Sequence, residues 1–259
     1  MIESVAPALP RPVIFDQQWR NVAFLHWPVD PAGIAQFFPT GSWPDMIDGR
    51  TYVGLIPFEL RRAGPGRFLP VPYFGDFLET NVRLYSVDAE GRHGVVFLSL
   101  DTQRLAVVAL ARSTFGVPYT WARMRSAIVA DVHSYFSTRR WPCRGVTSRV
   151  SVSVGERVEP SALEVWLTSR WGLHTRIAGR TMWVPNAHPP WPLHRASVLA
   201  LDDGLMESAG VAVEGPPSSV LWSPGVRARF GRPVAVRAPQ RGRGVRAVAI
   251  RRRTRPVPI

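Results

Sequence analysis

The sequence predicts a mainly β domain (β-rich α+β) with a few short helices. Three observations carry this. The 25 Pro and 21 Gly are spread along all 259 residues, which suits short strands joined by tight connections better than a helical bundle. Short apolar or alternating segments recur between these breakers. No internal period in the solenoid range is visible. An apolar fraction of 46% is enough to build a sizeable core.

In chain order, Val22 to Trp27 is a nearly continuous apolar run that reads as a buried strand and stops at Pro28. His26 within it reads as a packed, structural histidine. Asp30-Pro31 opens a helix, with Asp at the N-cap, Pro in the first turn, and Ile34, Phe37 and Phe38 at helical spacing. Asp48-Gly49 is a turn before the β-branched and aromatic strand Thr51 to Phe58. Residues 61–76 form a long loop, of the kind that is usually functional or mobile. Strands at 77–86, Val95 to Leu100 and Leu105 to Ala111, the last two joined by a turn at 101–104, complete an antiparallel meander. Gly116 and Pro118 break the sheet, and a short helix is expected from Tyr119.

Further on, strands are expected over Ala127 to Phe136 and Arg144 to Val154. Glu159-Pro-Ser161 caps a helix from Ala162 to Trp171, with Leu163, Trp166, Leu167 and Arg170 on one face. A strand at Thr181 to Val184, a Pro- and Trp-rich loop at His188 to His194, a strand at Ser197 to Leu201 and a helix at Asp202 to Ser208 follow. Val220 to Val236 reads as a closing hairpin. No linker divides the chain, so we expect a lead-in (1–14), one domain (15–236) and an Arg-rich, disordered tail (237–259).

The most informative stretch is Phe77-Leu-Glu-Thr-Asn-Val-Arg-Leu-Tyr85. A strand sends alternate residues to opposite faces, so Glu79, Asn81, Arg83 and Tyr85 share one face and Leu78, Val82 and Leu84 the other. The polar face either meets water, as in a half-exposed antiparallel strand, or lines a cavity.

Charge and composition exclude some chemistry. The net charge is +13, and eight arginines between 237 and 259, with no acid among them, supply much of it. Such a tail would contact nucleic-acid phosphates or another acidic partner without sequence preference, although it has no aromatics to stack bases. The other reading is a disordered extension of GC-rich codons. The chain has no lysine, and all 32 basic residues are Arg, so no lysine side chain can form a Schiff base. One cysteine, Cys143, rules out an internal disulfide and a cysteine-rich zinc site. The six His show no metal-ligand spacing, and no nucleotide-binding or nucleophile-elbow motif occurs. No metal, no cofactor and no membrane span are expected, no pattern indicates an oligomeric state, and without a signal peptide a cytoplasmic location is the expectation.

Several segments together resemble the uncharacterised YqjF-like proteins. They are Trp27, Asp30-Pro31, Asp48-Gly-Arg50, the 77–85 run, Leu98-Ser-Leu-Asp101, Arg112-x-x-Phe-x-x-Pro-Tyr119, Leu167-Thr-Ser-Arg-Trp171 and His188-Pro-Pro-Trp191. The resemblance spans roughly residues 15–236; it breaks at Ser169, where the family has Glu. That family is distantly similar to the acetoacetate decarboxylase-like proteins, which implies a closed or cone-shaped antiparallel β-barrel around a small-molecule cavity. The reactive segment of those proteins, Gly-x-Pro-Lys-Lys-x-Ala, has Tyr119 and Thr120 here in place of both lysines. Decarboxylation through an iminium is therefore excluded, since neither residue condenses with a ketone. A closed barrel turns one strand face inward, so the resemblance implies that Glu79, Asn81 and Arg83 line the cavity, with Tyr85 on the same face. Arg112 and Arg170 would bring guanidinium groups to it, for a small carboxylate or phosphate, or would pair structurally with Glu79 or Asp101. Glu79, aided by Tyr119, is the candidate general acid or base. The alternative is a non-enzymatic scaffold whose basic tail contacts nucleic acid or an acidic partner.

Overall fold

The computed structural model describes residues 2–66, 75–105, 108 and 116–237. Its strands are β1 (Phe15–Val29), β2 (Ser42–Pro44), β3 (Thr51–Pro65), β4 (Phe77–Asp88), β5 (Gly94–Thr102), β6 (Tyr119–Val129), β7 (Val132–Trp141), β8 (Thr147–Arg157), β9 (Gly172–Ile177), β10 (Arg180–Ala187), β11 (His194–Asp203), β12 (Ser219–Phe230) and β13 (Val234–Ala235). Short helices join them, among which the fully described α-helices are α1 (Pro31–Ile34), α2 (Ala162–Thr168) and α3 (Leu205–Ser208). Among the described residues, no helix is long and apolar enough to cross a membrane.

Local chemistry sets these boundaries. Asp30 caps α1, accepting from the backbone N–H of Ala32, and Pro31 fills its first position. Ser161 and Glu164 form a reciprocal capping box at the start of α2. Asp48 and Gly49 both take positive φ, as a two-residue hairpin turn requires, and Ile47 and Arg50 bond to each other across it.

One sheet contains all the strands, and it forks. The end of β5 pairs in parallel with β6, while Val95 near its start pairs in parallel with Leu173 of β9. β12 likewise pairs with β11 near one end and with β10 at the other. The result is a nine-strand closed barrel, β5-β6-β7-β8-β11-β12-β1-β3-β4, and a second ring through β9 and β10. The strands β12, β1, β3, β4 and β5 form a wall common to both.

Because a strand alternates, this wall is buried on both faces. Ala23, Leu25 and Trp27 of β1, Val53 and Leu55 of β3, and Val82 and Leu84 of β4 pack with Tyr135, Val150 and Val152 as the barrel core, with α1 and α3 against it. Phe24 of β1, Ile56 and Phe58 of β3, and Glu79, Asn81 and Arg83 of β4 face the other way, into the space closed by β9, β10, α2 and the loop after β10.

Several expectations need correction. Tyr119 starts the strand β6, not a helix, because its neighbours pair with the exposed end of β5. Leu105 is helical and the N–H of Val108 bonds to the carbonyl of Arg104 one turn back, so a strand at Leu105 to Ala111 does not form; the rest of that segment lies outside the described residues. Ala130, at positive φ, breaks the expected strand 127–136 into the hairpin β6–β7. α2 ends at Thr168, and β9 follows at once. The expected closing hairpin does not form either: β12 lies between β1 and β11, and β13 pairs with β10. The long loop is shorter than expected because β3 runs on to Pro65; residues 67–74 lie outside the described residues. The lead-in is tied to the body: Ile2 packs on the core and Glu3 accepts from the Trp171 indole N–H.

Candidate functional site

The polar face of β4 lines a cavity of about 460 Å³. The direction differs from the barrel expectation. The aliphatic face of β4 enters the nine-strand barrel, whereas Glu79, Asn81 and Arg83 open into the second ring.

Glu79 and Asn81 are each only 4% exposed. The Tyr119 hydroxyl donates to Glu79 Oε2 at 2.7 Å, and the side chain of Asn81 contributes a further hydrogen bond. Burial raises the Glu79 carboxyl to about 7, with these two hydrogen bonds pulling the other way. The tyrosine hydroxyl is pushed well above its ordinary value by burial and by the neighbouring carboxylate, so its proton stays on oxygen. The pair is therefore a carboxyl poised near neutrality and oriented by a phenol.

The cationic end is built on the C-terminus of α2. A helix leaves its last carbonyls unpaired, and here side chains satisfy three of them. Arg170 Nε donates to Trp166 O at 2.8 Å, Arg83 Nη2 to Leu167 O at 3.1 Å, and Trp191 Nε1 to Thr168 O at 3.1 Å. Arg170 Nη1 also donates to Asp45, which bonds His93 Nδ1 at 2.8 Å. Burial lowers the Arg170 guanidinium to about 10, against the pull of Asp45, which still leaves it charged at neutral pH. Among the described residues, no carboxylate pairs with Arg83; it donates to the Tyr85 hydroxyl at 3.3 Å and lies over the rings of Phe24 and Tyr85.

Tyr85 itself is fully buried behind the cavity wall. It lies between the two guanidiniums, 5.5 Å from Arg83 and 4.7 Å from Arg170, and positions both. Of the residues expected at the site, Glu79, Asn81, Arg83, Arg170 and Tyr119 thus converge on one cavity, and Tyr85 supports it. Arg112 lies outside the described residues, and so does the tail beyond Arg237. The alternative partner named for Arg170 is not the one found: Asp45 holds it, while Asp101 pairs with Arg139 inside the barrel.

Sequence reasoning missed several contributors. Asp45 and His93 carry no motif. His188 and Trp191 belong to a loop singled out only as a landmark, and both line the cavity with Trp19, Phe24, Phe58 and Phe230. Burial pushes His188 down to about 4, so it is neutral, and its Nδ1 donates to Pro189 O at 2.8 Å. Some buried polar atoms of the lining have no hydrogen-bond partner among the described residues: Asn81 Oδ1, Asn186 Oδ1, Arg170 Nη2 and Trp19 Nε1. Such orphans are uncommon in a finished protein interior. No three His, Cys, Asp or Glu side chains among the described residues come together as metal ligands.

Comparison with known proteins agrees with the architecture. The model of the DUF2071 family, described as an uncharacterised conserved protein, matches residues 16–227. The uncharacterised protein YqjF of Bacillus subtilis (strain 168) is 30% identical over 203 residues, covering 77% of this chain and 83% of YqjF. Among solved structures, an acetoacetate decarboxylase-like enzyme from Sphingomonas wittichii RW1 gives a TM-score of 0.61 at 12% identity, over 88% of this chain and 95% of that one. The enduracididine biosynthesis enzyme MppR, complexed with pyruvate, gives 0.60 at 14% identity, over 89% and 93%. Acetoacetate decarboxylase from Legionella pneumophila gives 0.59 at 14%, over 89% and 92%. At such identities these structures share the fold with this chain. By its sequence, the chain is a member of the DUF2071 family, of the YqjF type, built on an acetoacetate decarboxylase-like β-barrel.

Proposed function

We propose that the cavity binds a small organic anion, a carboxylate or a phosphate, and that Glu79 with Tyr119 moves a proton on it. The carrying observation is the charge imbalance of a mostly apolar cavity. Two guanidiniums reach it, Asp45 pairs with one, no described carboxylate pairs with the other, and burial raises the remaining acid of the lining, Glu79, to about 7. A low-dielectric site with one uncompensated cation favours an anionic occupant, and guanidinium geometry matches a carboxylate or phosphate oxygen pair. Arg170 Nη2, without a partner, would complete its hydrogen bonds by donating to such a ligand, while Asn81 Oδ1 would accept from a hydroxyl or N–H elsewhere on it. The pyruvate named with MppR, a relative by fold, is a ligand of this chemical class.

Glu79 has the proton affinity of a useful general acid or base near neutral pH. Without a lysine, no chemistry here runs through a side-chain Schiff base. The test is a thermal-shift screen of small carboxylates and phosphates on the wild type, Glu79→Gln and Arg83→Ala. A carboxylate or phosphate that stabilises the wild type and not Arg83→Ala supports the reading. An equal shift in all three proteins, or none in any, overturns it. Loss of proton exchange from a bound carboxylate's α-carbon in Glu79→Gln alone would assign the acid–base role.

A second reading, nucleic-acid contact through the arginine-rich tail, rests on composition. Binding to a single-stranded oligonucleotide that weakens with salt and disappears on deletion of residues 237–259 would support it.

A further inference from the structure

From the lining of the same cavity we infer a second subsite, specific for a planar ring that carries a hydrogen-bonding substituent. It rests on the proposal that the cavity is a ligand site, and adds to it the shape of the ligand body. The ring wall runs along β4 and reaches the anion end at Phe24, whose ring lies 5.8 Å from the Arg83 guanidinium. Arg83 is four residues from Glu79, which at strand rise places their Cα atoms about 13 Å apart. Glu79 pairs in register with Phe58, and the Phe58 ring is 6.3 Å from that of Trp19. Glu79 thus stands beside Phe58 and Trp19, and Arg83 beside Phe24 and Trp191, with the rings spanning the distance between them.

The wall between them is made of rings fixed in orientation. Trp191 is pinned through its indole N–H to Thr168 O and stacks on Trp19 at 5.7 Å, with 9° between their planes. Phe24 meets Trp191 edge-on at 5.0 Å, and His188 meets Trp19 at 5.7 Å. Flat walls of this kind recognise flat ligands by offset stacking and edge-to-face contact. The volume of about 460 Å³ is large for a short keto acid alone and in the range of sites for ring-sized ligands.

The polar requirement comes from the orphaned atoms of this wall. Trp19 Nε1 is a buried donor without a partner, and Asn186 Oδ1 is a buried acceptor without one, on a residue only 8% exposed. Phe230 connects them: its strand pairs with Asn186, and its ring is 6.2 Å from Trp19. Neutral His188, with Nδ1 donating to Pro189 O, presents Nε2 as a second acceptor. A ring hydroxyl satisfies such a set by accepting from Trp19 and donating to Asn186 or His188; a plain hydrocarbon chain leaves all of it buried and unpaired, which is costly.

The experiment is calorimetric titration of the full-length protein with 3-(4-hydroxyphenyl)propanoate, 3-phenylpropanoate, hexanoate and the amide of the first acid. The expected result is hydroxyphenyl acid binding about tenfold tighter than hexanoate, the effect of one added hydrogen bond and ring contact. In Asn186→Leu and in Trp19→Phe, the preference for the hydroxylated over the plain ring should vanish, each variant's own hexanoate affinity serving as its reference. Two substitutions on separate strands guard against a misfolded variant. Hexanoate binding as tightly as the aryl acids, or a hydroxyl preference that survives both substitutions, overturns the ring subsite and leaves the anion reading standing. Binding of the aryl amide but of no acid supports the ring subsite and overturns the anion reading. Failure of every probe overturns both.

Discussion

The two faces of the shared wall enclose opposite kinds of interior. On the barrel side, Leu55, Val82 and Leu84 are fully buried in a hydrocarbon core, and the arginine of that side meets a carboxylate: Arg139 and Asp101 lie 2.9 Å apart, with Ser137 and Ser208 completing the network. On the cavity side, residues one position away in sequence present an acid, an amide and a guanidinium, and several of the polar atoms there lack partners. A core closes its charges on itself. Partnerless polar atoms occur on both sides, so the difference between the two interiors lies in the charges: Arg139 has a carboxylate and Arg83 has none among the described residues.

The largest expected effect tests the closed side. Asp101→Asn leaves Arg139 buried without its counter-ion and should cost about 4 kcal/mol in urea unfolding. Arg83→Gln, on the open side, strands no described carboxylate and should cost only about 2 kcal/mol, for its hydrogen bonds to Leu167 O and the Tyr85 hydroxyl. Equal losses in the two variants would erase the distinction.

Glu79→Gln comes next, and its sign is opposite. Burial lifts the carboxyl from 4.5 to about 7, so between those pH values the folded protein holds more protons than the unfolded chain. Stability therefore falls as pH rises from about 4.5 through about 7, by up to about 3 kcal/mol. Glutamine removes that slope. The variant should be more stable than wild type at pH 8, with the advantage shrinking to nothing below pH 4.5, as read from urea midpoints across the range. A parallel pair of pH profiles would place Glu79 in water.

Adjacent residues of β3 make a smaller comparison. Leu55→Ala opens a void in the packed barrel core and should cost about 4 kcal/mol, whereas Ile56→Ala enlarges a cavity already present and should cost about 2 kcal/mol. Chemical denaturation of both variants measures the difference directly.

The two faces of β4 were legible in the sequence; their destinations were not. Alternation separates Glu79, Asn81 and Arg83 from Val82 and Leu84, but a strand in a wall between two interiors is buried on both sides, and no local pattern signals the second ring. The same long-range pairing decides Tyr119: the break at Gly116 and Pro118 hides a strand that the edge of β5 pairs. The caps of α1 and α2 were readable because they depend on three or four neighbouring residues. Asp45 was not, because its partner Arg170 is 125 positions away. Trp19 and Asn186 carry no motif either, and stand out only through the hydrogen-bond partners their buried atoms lack.

The finest expected effect concerns the phenol. Tyr119 donates to Glu79 at 2.7 Å, and a donor to a carboxylate favours its ionised form. Tyr119→Phe removes that donor while keeping the ring, so the Glu79 carboxyl should rise still further, by about one unit for the loss of one charge-assisted hydrogen bond. The fold should be little affected below pH 6, where the carboxyl is protonated and has no ionised form for the phenol to stabilise. A carbon-13 titration of the Glu79 carboxyl in both proteins reads the shift. An upward move joins the two residues as one acid–base unit on the open face of the wall. An unchanged titration would show Tyr119 to be packing there, and would leave the proton chemistry to Glu79 alone.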